Sequence, residues 1–282
     1  LTADQQALLD QFTASLPTLV AQTPEADRAK HTAFCTSACL QRYLRAHKWQ
    51  LDRAQTGLTK TLQWRSEYRP DEITPAEIES EAVRGKMYPN GYDLFGRSVI
   101  YMRQRLNHTS DAKMQMRYLV FTLERAVQML PDGLTDGPAC PESLSLLIDC
   151  EGWSMSTGVP LSTARETLTI LGSHYPERLG HAFVVNAPWL FWTFFKIVSP
   201  FVDPVTRRKI NFVDLKTQHD LPLLQFNDME KVIRPSSSTE ADPTPTSPSE
   251  IWTNLRNHFS DDYLEASESG RFNFQYNHEH TW

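Results

Sequence analysis

Two charged residues, Glu177 and Lys209, flank the most apolar part of the chain and are the first candidates for ligand binding. If both side chains point into a folded domain, their charges need partners, because unpaired buried charges are costly. Together they suit a polyol phosphate, since a carboxylate accepts hydrogen bonds from hydroxyl groups and an ammonium group attracts phosphate. A salt bridge on the protein surface is the alternative, and the sequence by itself does not decide between the two.

The segment between these residues is aromatic and has no polar face. Placed on a helix, Trp189 to Val198 is apolar nearly all round, whereas a surface helix keeps one polar side. One interpretation is a helix buried on every side. The other is a flap, Trp189 to Phe201, that packs on the protein on one side and on a ligand or bilayer on the other. The side chains expected to make these contacts are Trp189, Phe191, Trp192, Phe194 and Phe195.

Motifs for catalysis are missing from the sequence. There is no Gly-rich phosphate loop, GxSxG elbow, HExxH helix or CxxC pair, so we expect no catalytic residues and no enzyme. Ser173-His174 is the one weak hint of a lipid hydrolase. His31, Cys35 and Cys39 follow each other at helical spacing and could offer three metal ligands, but a fourth is not apparent. We interpret them as core residues and expect no metal.

Composition narrows the class of partner. The net charge of −6 is spread along the chain, which argues against the basic face that nucleic-acid binding requires. Four cysteines in 282 residues, without a recognisable signal peptide, predict a reducing, cytoplasmic setting with free thiols. The apolar stretch 182–202 is interrupted by Asn186, Pro188, Lys196 and Pro200, so it is not expected to span a membrane.

The first part of the chain reads as a helical unit over residues 1–86. Thr2 with Gln5 forms a capping box, Asp52 with Gln55 predicts a later helix start, and Thr74-Pro75 predicts another. A further helix carries Leu40, Tyr43, Leu44 and His47 on one face.

From residue 87 to 233 strands and helices alternate. After a turn cluster at Asn90–Gly96, apolar runs predict strands near residues 98–102, 144–148, 182–185 and 210–213, and continuous runs of this kind are typical of a parallel sheet. Helices are predicted over 110–130, from a cap at Thr163–Glu166 to Gly172, and after Asp203-Pro204. The fold class is therefore α/β: an amino-terminal helical unit, then a mainly parallel sheet. Residues 234–249 are predicted to be a polar Pro/Ser/Thr linker, and residues 250–282 a helix and tail that pack back on the domain.

Several motifs resemble, in order, those of the CRAL-TRIO lipid-transfer family, and its phosphatidylinositol transfer proteins are most similar. The motifs are Leu40–Trp49, Trp64-Arg65, Gly96–Val99, Tyr175–Gly180, Asn186–Pro188 and Pro200–Ile210. The resemblance implies an α/β lipid cavity closed by a gate helix, here Trp189–Val198. It also implies a carrier that exchanges phosphatidylinositol, with phospholipid as cargo and no cofactor.

The resemblance further assigns the polar residues. Positions that bind the inositol phosphate headgroup in the family correspond to Asp93, Glu177, Thr206 and Lys209, with Lys48 as a basic neighbour. His47 stands where the family usually has arginine, and an imidazole does not reproduce the fork of a guanidinium. The phosphatidylcholine positions correspond to the apolar residues Pro89, Ile100, Leu144 and Leu146, so weak phosphatidylcholine binding is expected. The predicted cavity wall is Ile100, Leu144, Leu146 and Cys150.

Other cargo stays open on the same fold. Some members of the family carry haem or sterols, and Cys150, Tyr101, Tyr175 and His174 are candidate iron ligands, although a lone cysteine is more often a buried apolar residue. The partners implied are phosphatidylinositol, a transient membrane surface and lipid kinases, and the protein is expected to be a cytoplasmic monomer that binds membranes peripherally.

Overall fold

The computed structural model describes residues 1–130, 142–154 and 158–213, the backbone of 224–225, and residue 259. Helices form its amino-terminal part, as predicted. They are α1 Ala3–Ala21, α2 Arg28–Phe34, α3 Ser37–Ala46, α4 Leu51–Tyr68 and α5 Pro75–Ala82.

Side-chain caps explain where most of these helices begin. The predicted capping box is present, since the Thr2 hydroxyl accepts from the Gln5 backbone N–H at 3.2 Å and the Gln5 amide oxygen accepts from the Thr2 backbone N–H at 3.0 Å. Thr74 caps α5 through its hydroxyl, again as predicted. The predicted start at Asp52 is wrong by one residue, because α4 begins at Leu51 and has no side-chain cap bond.

The sheet and its helices follow from residue 87. The strands are β1 Met87–Tyr92, β2 Ser98–Arg103, β3 Leu144–Asp149, β4 Leu179–Val185, β5 Ile210–Val213 and β6 Leu224–Gln225. The helices are α6 Ala112–Gln128, α7 Leu161–His174, α8 Trp189–Val198 and α9 Pro204–Arg208.

Strand order in this sheet is the order of the chain, β1 to β6. Strands β2 to β5 are parallel, and β1 and β6 pair antiparallel at the edges, which confirms a mainly parallel α/β fold.

The prediction of a turn cluster from Asn90 was wrong at its start, because β1 continues to Tyr92. Gly91 has φ +63°, a conformation that suits glycine, and the register with β2 shifts at this point.

One face of the sheet carries the helices. Right-handed crossovers between neighbouring parallel strands place successive helices on the same side. Accordingly, Ile100 and Leu144 share a buried cluster with α6, and Val184 and Phe212 share one with α8. On the opposite face, Phe183 contacts Phe259 with ring centroids 5.3 Å apart. Apart from Phe259, the predicted linker and carboxy-terminal helix lie outside the described residues.

Buried polar contacts attach the helical unit to the α/β part. The Arg65 guanidinium donates to both Glu124 carboxylate oxygens, at 2.9 and 3.2 Å, and the Tyr175 hydroxyl donates to the same carboxylate at 2.7 Å. These bonds join α4, α6 and the end of α7. Since a bidentate guanidinium–carboxylate pair has fixed geometry, the contact sets the angle at which the helical unit is attached.

Candidate functional site

An apolar cavity of about 250 Å³ lies between the sheet and the helices on its covered face. Met102 and Ile148 reach it from the carboxyl ends of β2 and β3, and Trp153 from the loop after β3. A cavity at this edge is expected, because open parallel sheets bind ligands beyond the carboxyl ends of their strands. The helical side chains that line it are Gln115, Met116, Tyr118 and Leu119 from α6, Thr163, Ala164, Thr167 and Leu168 from α7, and Phe191, Phe194, Phe195 and Val198 from α8.

Helix α8 closes one side of this cavity with aromatic rings. Phe191 and Phe195 are buried, and Trp192 lies on Phe212 with ring centroids 4.3 Å apart. The outer side is different, since Trp189 is 78 % exposed and Ile197 is also exposed. Burial on every side, one of the two sequence interpretations, is therefore wrong. The helix packs on the protein on one side and presents apolar groups to solvent on the other.

Three of the predicted wall residues, Ile100, Leu144 and Leu146, lie in the first halves of β2 and β3, and the fourth, Cys150, directly follows β3. Ile100, Leu144 and Leu146 alternate with outward residues and point to the helical face, where Ile100 and Leu144 pack in the core cluster under α6. Leu146 packs at the junction of two core clusters, and Cys150 is fully buried beside α8. None of the four is among the residues that line the cavity described above.

Glu177 and Lys209 meet at the opposite, amino edge of the parallel strands. Glu177 precedes β4 and Lys209 precedes β5, and their Oε2 and Nζ atoms are 3.8 Å apart, with side chains 32 % and 25 % exposed. The Lys209 ammonium also donates to the Leu179 carbonyl at 2.8 Å. The pair is thus a partly exposed ion pair on the strand edge, with both groups accessible to a ligand.

Thr206 reaches the same edge through the short helix α9. The Asp203 carboxylate accepts from the backbone N–H groups of Val205 and Thr206, at 2.9 Å each, and caps α9 as predicted. Burial acts to raise the pKa of Asp203, but the hydrogen bonds from Thr206 and Val205, together with the Lys209 charge, lower it overall. Thr206 and Lys209 are three residues apart and therefore lie on one side of this turn.

Asp93 is buried and has a structural role. Its carboxylate accepts from the backbone N–H groups of Phe95 and Arg97, at 2.9 Å each, and from the Ser145 hydroxyl at 2.6 Å. These contacts hold the β1–β2 turn against β3. Gly180 has no room for a β-carbon, since one would come within 2.8 Å of the Arg97 side chain, so Arg97 lies across the start of β4.

His47 and Lys48 lie at the carboxyl end of α3. Among the contacts of the described residues, no hydrogen bond or ion pair joins them to Glu177 or Lys209. His47 packs so closely on Gly57 that a β-carbon there would be 2.6 Å from its Nε2 atom. Burial, with Arg53 nearby, lowers the pKa of the His47 imidazole, while Lys48 is exposed.

Three arginines that the sequence predictions did not include lie at the amino edge of the parallel strands. Arg42 and Arg45 of α3 lie 3.4 and 2.8 Å from one Glu142 carboxylate oxygen, and Arg178 donates to the Glu142 backbone carbonyl at 2.6 Å. Burial first, and then Arg42, lower the pKa of Arg178 to about 10. These three guanidinium groups and the Lys209 ammonium outnumber the carboxylates of Glu142 and Glu177, so the edge carries a net positive charge. The sequence could have indicated these residues, because all three arginines fall within the Leu40–Trp49 and Tyr175–Gly180 motifs.

The residues considered as hydrolase or iron-binding candidates make packing contacts and do not line the cavity. His174 stacks on Trp64 with ring centroids 4.3 Å apart, and its Nδ1 atom is 3.1 Å from the Thr61 hydroxyl. Burial lowers the pKa of His174 to about 4, which makes it a weak general base at neutral pH. Tyr101 stacks on Tyr88, and neither it nor Cys150, Tyr175 or His174 is among the residues lining the cavity.

The three side chains considered as metal ligands in the amino-terminal unit, His31, Cys35 and Cys39, are also buried. His31 contacts the Thr23 hydroxyl at 3.0 Å through Nδ1, and Cys35 and Cys39 belong to the helical core. Burial raises the pKa of the Cys35 thiol to about 12 and also raises that of Cys39. Within the described ranges, no three His, Cys, Asp or Glu side chains are grouped to hold a metal ion.

The parallel sheet with helices on one face, the apolar cavity under an aromatic helix and the strand edge rich in basic residues define an α/β domain with a cavity for an apolar ligand. The chain belongs to the CRAL/TRIO family: the CRAL/TRIO domain matches residues 82–236, and the CRAL/TRIO N-terminal domain matches residues 8–60. This confirms the resemblance in the motifs.

Relatives extend the comparison. A CRAL-TRIO domain-containing protein of Schizosaccharomyces pombe is 40 % identical, over 63 % of this chain and 17 % of its own length. The phosphatidylinositol transfer protein PDR17 of Saccharomyces cerevisiae is 33 % identical, over 65 % of this chain and 54 % of its own. The Sec14 cytosolic factor of S. pombe is 31 % identical, over 76 % of this chain and 75 % of its own. The chain thus matches about half or less of the first two relatives.

A solved structure shows the same fold. The crystal structure of Sfh5 superposes with a TM-score of 0.62 at 16 % identity, over 75 % of this chain and 80 % of that one. In the part of the chain that the structure describes, no helix is both long and apolar enough to cross a bilayer.

Proposed function

We propose that this protein transfers phosphatidylinositol between membranes, with the inositol phosphate at the amino edge of the sheet and the acyl chains in the apolar cavity. The cationic strand edge carries the proposal, because Lys209, Arg178 and their neighbours favour an anionic headgroup over a neutral one. The name of the relative PDR17, a phosphatidylinositol transfer protein, supports it.

Each polar group at the edge has a role in this proposal. The Lys209 ammonium and the Thr206 hydroxyl donate to the phosphate, and the Glu177 carboxylate accepts from inositol hydroxyl groups. Glu177 has φ +58°, an unusual value for a residue other than glycine that often marks a functional position. Asp93 acts indirectly by holding the turn that carries Arg97. His47, uncharged near neutral pH, and exposed Lys48 contribute at the margin of the site.

The cavity has to enlarge when lipid enters. Its volume of about 250 Å³ is below the roughly 300–1,000 Å³ of a pocket that encloses a drug-sized ligand, and a two-chain phospholipid is larger still. The rings of Phe191, Phe194 and Phe195 occupy the adjoining space. Outward movement of α8 therefore opens the cavity, and no covalent step is needed.

A membrane surface favours that movement. Trp189, Ile197, Phe201 and Val205 are exposed along and after α8, and exposed apolar groups of this kind enter the interfacial region of a bilayer. We infer that the protein acts as a cytoplasmic monomer, binds membranes transiently, and presents its cargo to lipid kinases.

Phosphatidylcholine is the disfavoured cargo. By resemblance, its phosphate would meet Pro89, Ile100, Leu144 and Leu146, whose side chains donate no hydrogen bond. Each missing bond to a charged group removes about 1.5–3 kcal/mol, so phosphatidylinositol transfer should exceed phosphatidylcholine transfer at least about tenfold.

Two measurements test the proposal. Native mass spectrometry of the purified protein should show bound phosphatidylinositol, and vesicle assays with labelled lipids should show selective transfer. Equal transfer of the two phospholipids would contradict the selectivity, and absence of phosphatidylinositol from both measurements would contradict the function.

A further inference from the structure

A turn with exposed apolar side chains lies at the same strand edge as the headgroup site. Leu94 and Phe95, between β1 and β2, are 55 % and 51 % exposed, and Tyr92 at the end of β1 is 43 % exposed. Strand β2 begins at this edge, because it runs parallel to β3, β4 and β5. Neighbouring exposed apolar groups mark contact sites, whereas single ones need no explanation.

Hydrogen bonds fix the conformation of this turn. The Asp93 backbone N–H donates to the Arg97 carbonyl, and the Gly96 N–H donates to the Asp93 carbonyl, at 2.9 Å each. Gly96 has φ +75°, a conformation that suits glycine. These bonds add to those of the Asp93 carboxylate described above. The turn therefore presents Leu94 and Phe95 in one defined direction from the sheet edge.

Basic groups lie beside the apolar tip. The Arg97 guanidinium lies over the Phe95 ring, 4.9 Å from its centroid. The end of α6 adjoins the turn, since the Tyr92 hydroxyl donates to the Met129 carbonyl at 2.6 Å, and it contributes the exposed Arg125. Together with the net positive charge of the headgroup edge, these arginines favour an anionic surface as the partner.

The other end of the same edge also carries an exposed apolar group. Val205 of α9 is 53 % exposed and precedes Thr206, which belongs to the proposed headgroup site. Apolar groups therefore flank the headgroup residues on both sides, with Leu94 and Phe95 before β2 and Val205 before β5. Apolar side chains next to cations are suited to the interfacial region of an anionic bilayer.

We propose that the turn Tyr92–Arg97 is a second membrane contact, which inserts Leu94 and Phe95 into the interfacial region of an anionic bilayer. The inference rests on the proposed transfer function, which places the inositol phosphate at this edge and the acyl chains at the carboxyl ends of the strands. A lipid that leaves the protein reaches the bilayer with both parts. Helix α8 provides the contact for the chains, and the turn brings the headgroup site to the lipid headgroups.

Sedimentation with vesicles of phosphatidylcholine and phosphatidylserine, without phosphatidylinositol, tests the contact. The double variant Leu94→Ser/Phe95→Ser should bind about tenfold more weakly, because two apolar side chains no longer enter the interface. Leu94→Met/Phe95→Leu keeps both apolar groups and should retain binding. The matched control is Val83→Ser, since Val83 is 51 % exposed but lies before β1 at the opposite edge. Unchanged binding in the double serine variant, or an equal loss in Val83→Ser, would overturn the proposal.

The charge of the bilayer is tested with the unmodified protein. Binding should be about tenfold weaker or less on vesicles of phosphatidylcholine alone, because the basic groups of the edge lose their anionic partners. Rising salt concentration should weaken binding to the anionic vesicles in the same direction. Equal binding to both lipid compositions would contradict an anionic surface as the partner.

A fluorescent label at the tip measures insertion directly. Cys35, Cys39 and Cys150 are buried, and Cys140 is replaced by serine, so that Leu94→Cys provides one accessible thiol for an environment-sensitive label. Vesicles with brominated acyl chains should quench this label, and they should leave the same label at Val83→Cys unquenched. Intact vesicle binding without quenching at Leu94→Cys would refute insertion and would assign the tip to a protein partner instead.

The carrier function is tested separately. Native mass spectrometry should show phosphatidylinositol in the double serine variant as in the unmodified protein, and its absence from both would contradict the carrier function rather than the tip contact. Transfer of phosphatidylinositol from anionic vesicles should be about tenfold slower in the double serine variant. Transfer at the unmodified rate by folded variant protein would refute the role of the turn.

Discussion

Replacement of Lys209 by alanine is the sharpest test of the headgroup site. The ammonium group lies on the strand edge, 3.8 Å from the Glu177 carboxylate and 2.8 Å from the Leu179 carbonyl. If it binds the phosphate, its removal deletes a charge-assisted hydrogen bond of about 1.5–3 kcal/mol. Phosphatidylinositol transfer should then fall about 10- to 150-fold.

Stability should change much less than transfer. A partly exposed ion pair contributes about 0–1 kcal/mol, and the bond from Lys209 to the Leu179 carbonyl about 1 kcal/mol. Lys209→Ala should therefore lose at most about 2 kcal/mol of unfolding free energy, a Tm decrease of a few degrees. Circular dichroism on heating measures this loss on the same samples used for transfer.

Two controls separate charge from folding. Lys209→Arg keeps a cation and should retain part of the transfer rate, although a guanidinium does not match the ammonium geometry. Lys60→Ala removes an exposed lysine from α4 and should leave transfer unchanged. If folded Lys209→Ala protein transfers phosphatidylinositol at the rate of the unmodified protein, the headgroup is not bound at this edge and the reasoning fails.

The other predictions concern the membrane contact, the helical unit and pH. Trp189→Ala should weaken vesicle binding in sedimentation about tenfold, because about 1.5–3 kcal/mol of apolar burial is lost. The Tm of this variant should stay constant. A similar loss of vesicle binding for Val83→Ala, which also removes an exposed apolar side chain, would contradict a specific contact at Trp189. Glu124→Gln leaves the buried Arg65 cation unpaired and should lower the free energy of unfolding in urea by about 3–5 kcal/mol. A decrease below about 1 kcal/mol would mean that the pair does not anchor the helical unit. The folded-state pKa of His174 is lowered from 6.5 to about 4, so its contribution is complete above pH 6.5 and is lost as pH falls toward 4. Unfolding free energy should accordingly decrease over that range, less steeply in His174→Phe, and equal slopes would show that His174 is not responsible.

Much of the fold was predictable because its signals are local. The Thr2 and Thr74 caps depend on hydroxyl groups placed three residues before the backbone N–H groups that they satisfy. Apolar runs such as Leu144–Ile148 predicted the inner strands because a covered parallel sheet requires them. The motif Tyr175–Gly180 predicted the family, and the comparisons confirmed it.

Other features depended on contacts between distant segments. Asp93, a headgroup candidate by resemblance, is held by Ser145 and the β1–β2 turn, which no local pattern indicates. The predicted wall residues Ile100, Leu144 and Leu146 lie in the first halves of β2 and β3, whereas the cavity lies at the carboxyl ends of these strands. The packing of α8 decides which residues remain uncovered there. Thr163 resembled a helix cap and instead faces that cavity.

The sequence by itself determined several helix starts, the inner strands, the aromatic helix and the family. It also placed Glu177 and Lys209 on either side of that helix, and tertiary structure brought them within 3.8 Å. Only the folded structure showed three arginines around Glu142. The physical reason is that caps and periodicity arise within a few residues, whereas a binding site is formed where strand edges and helices from the whole chain meet.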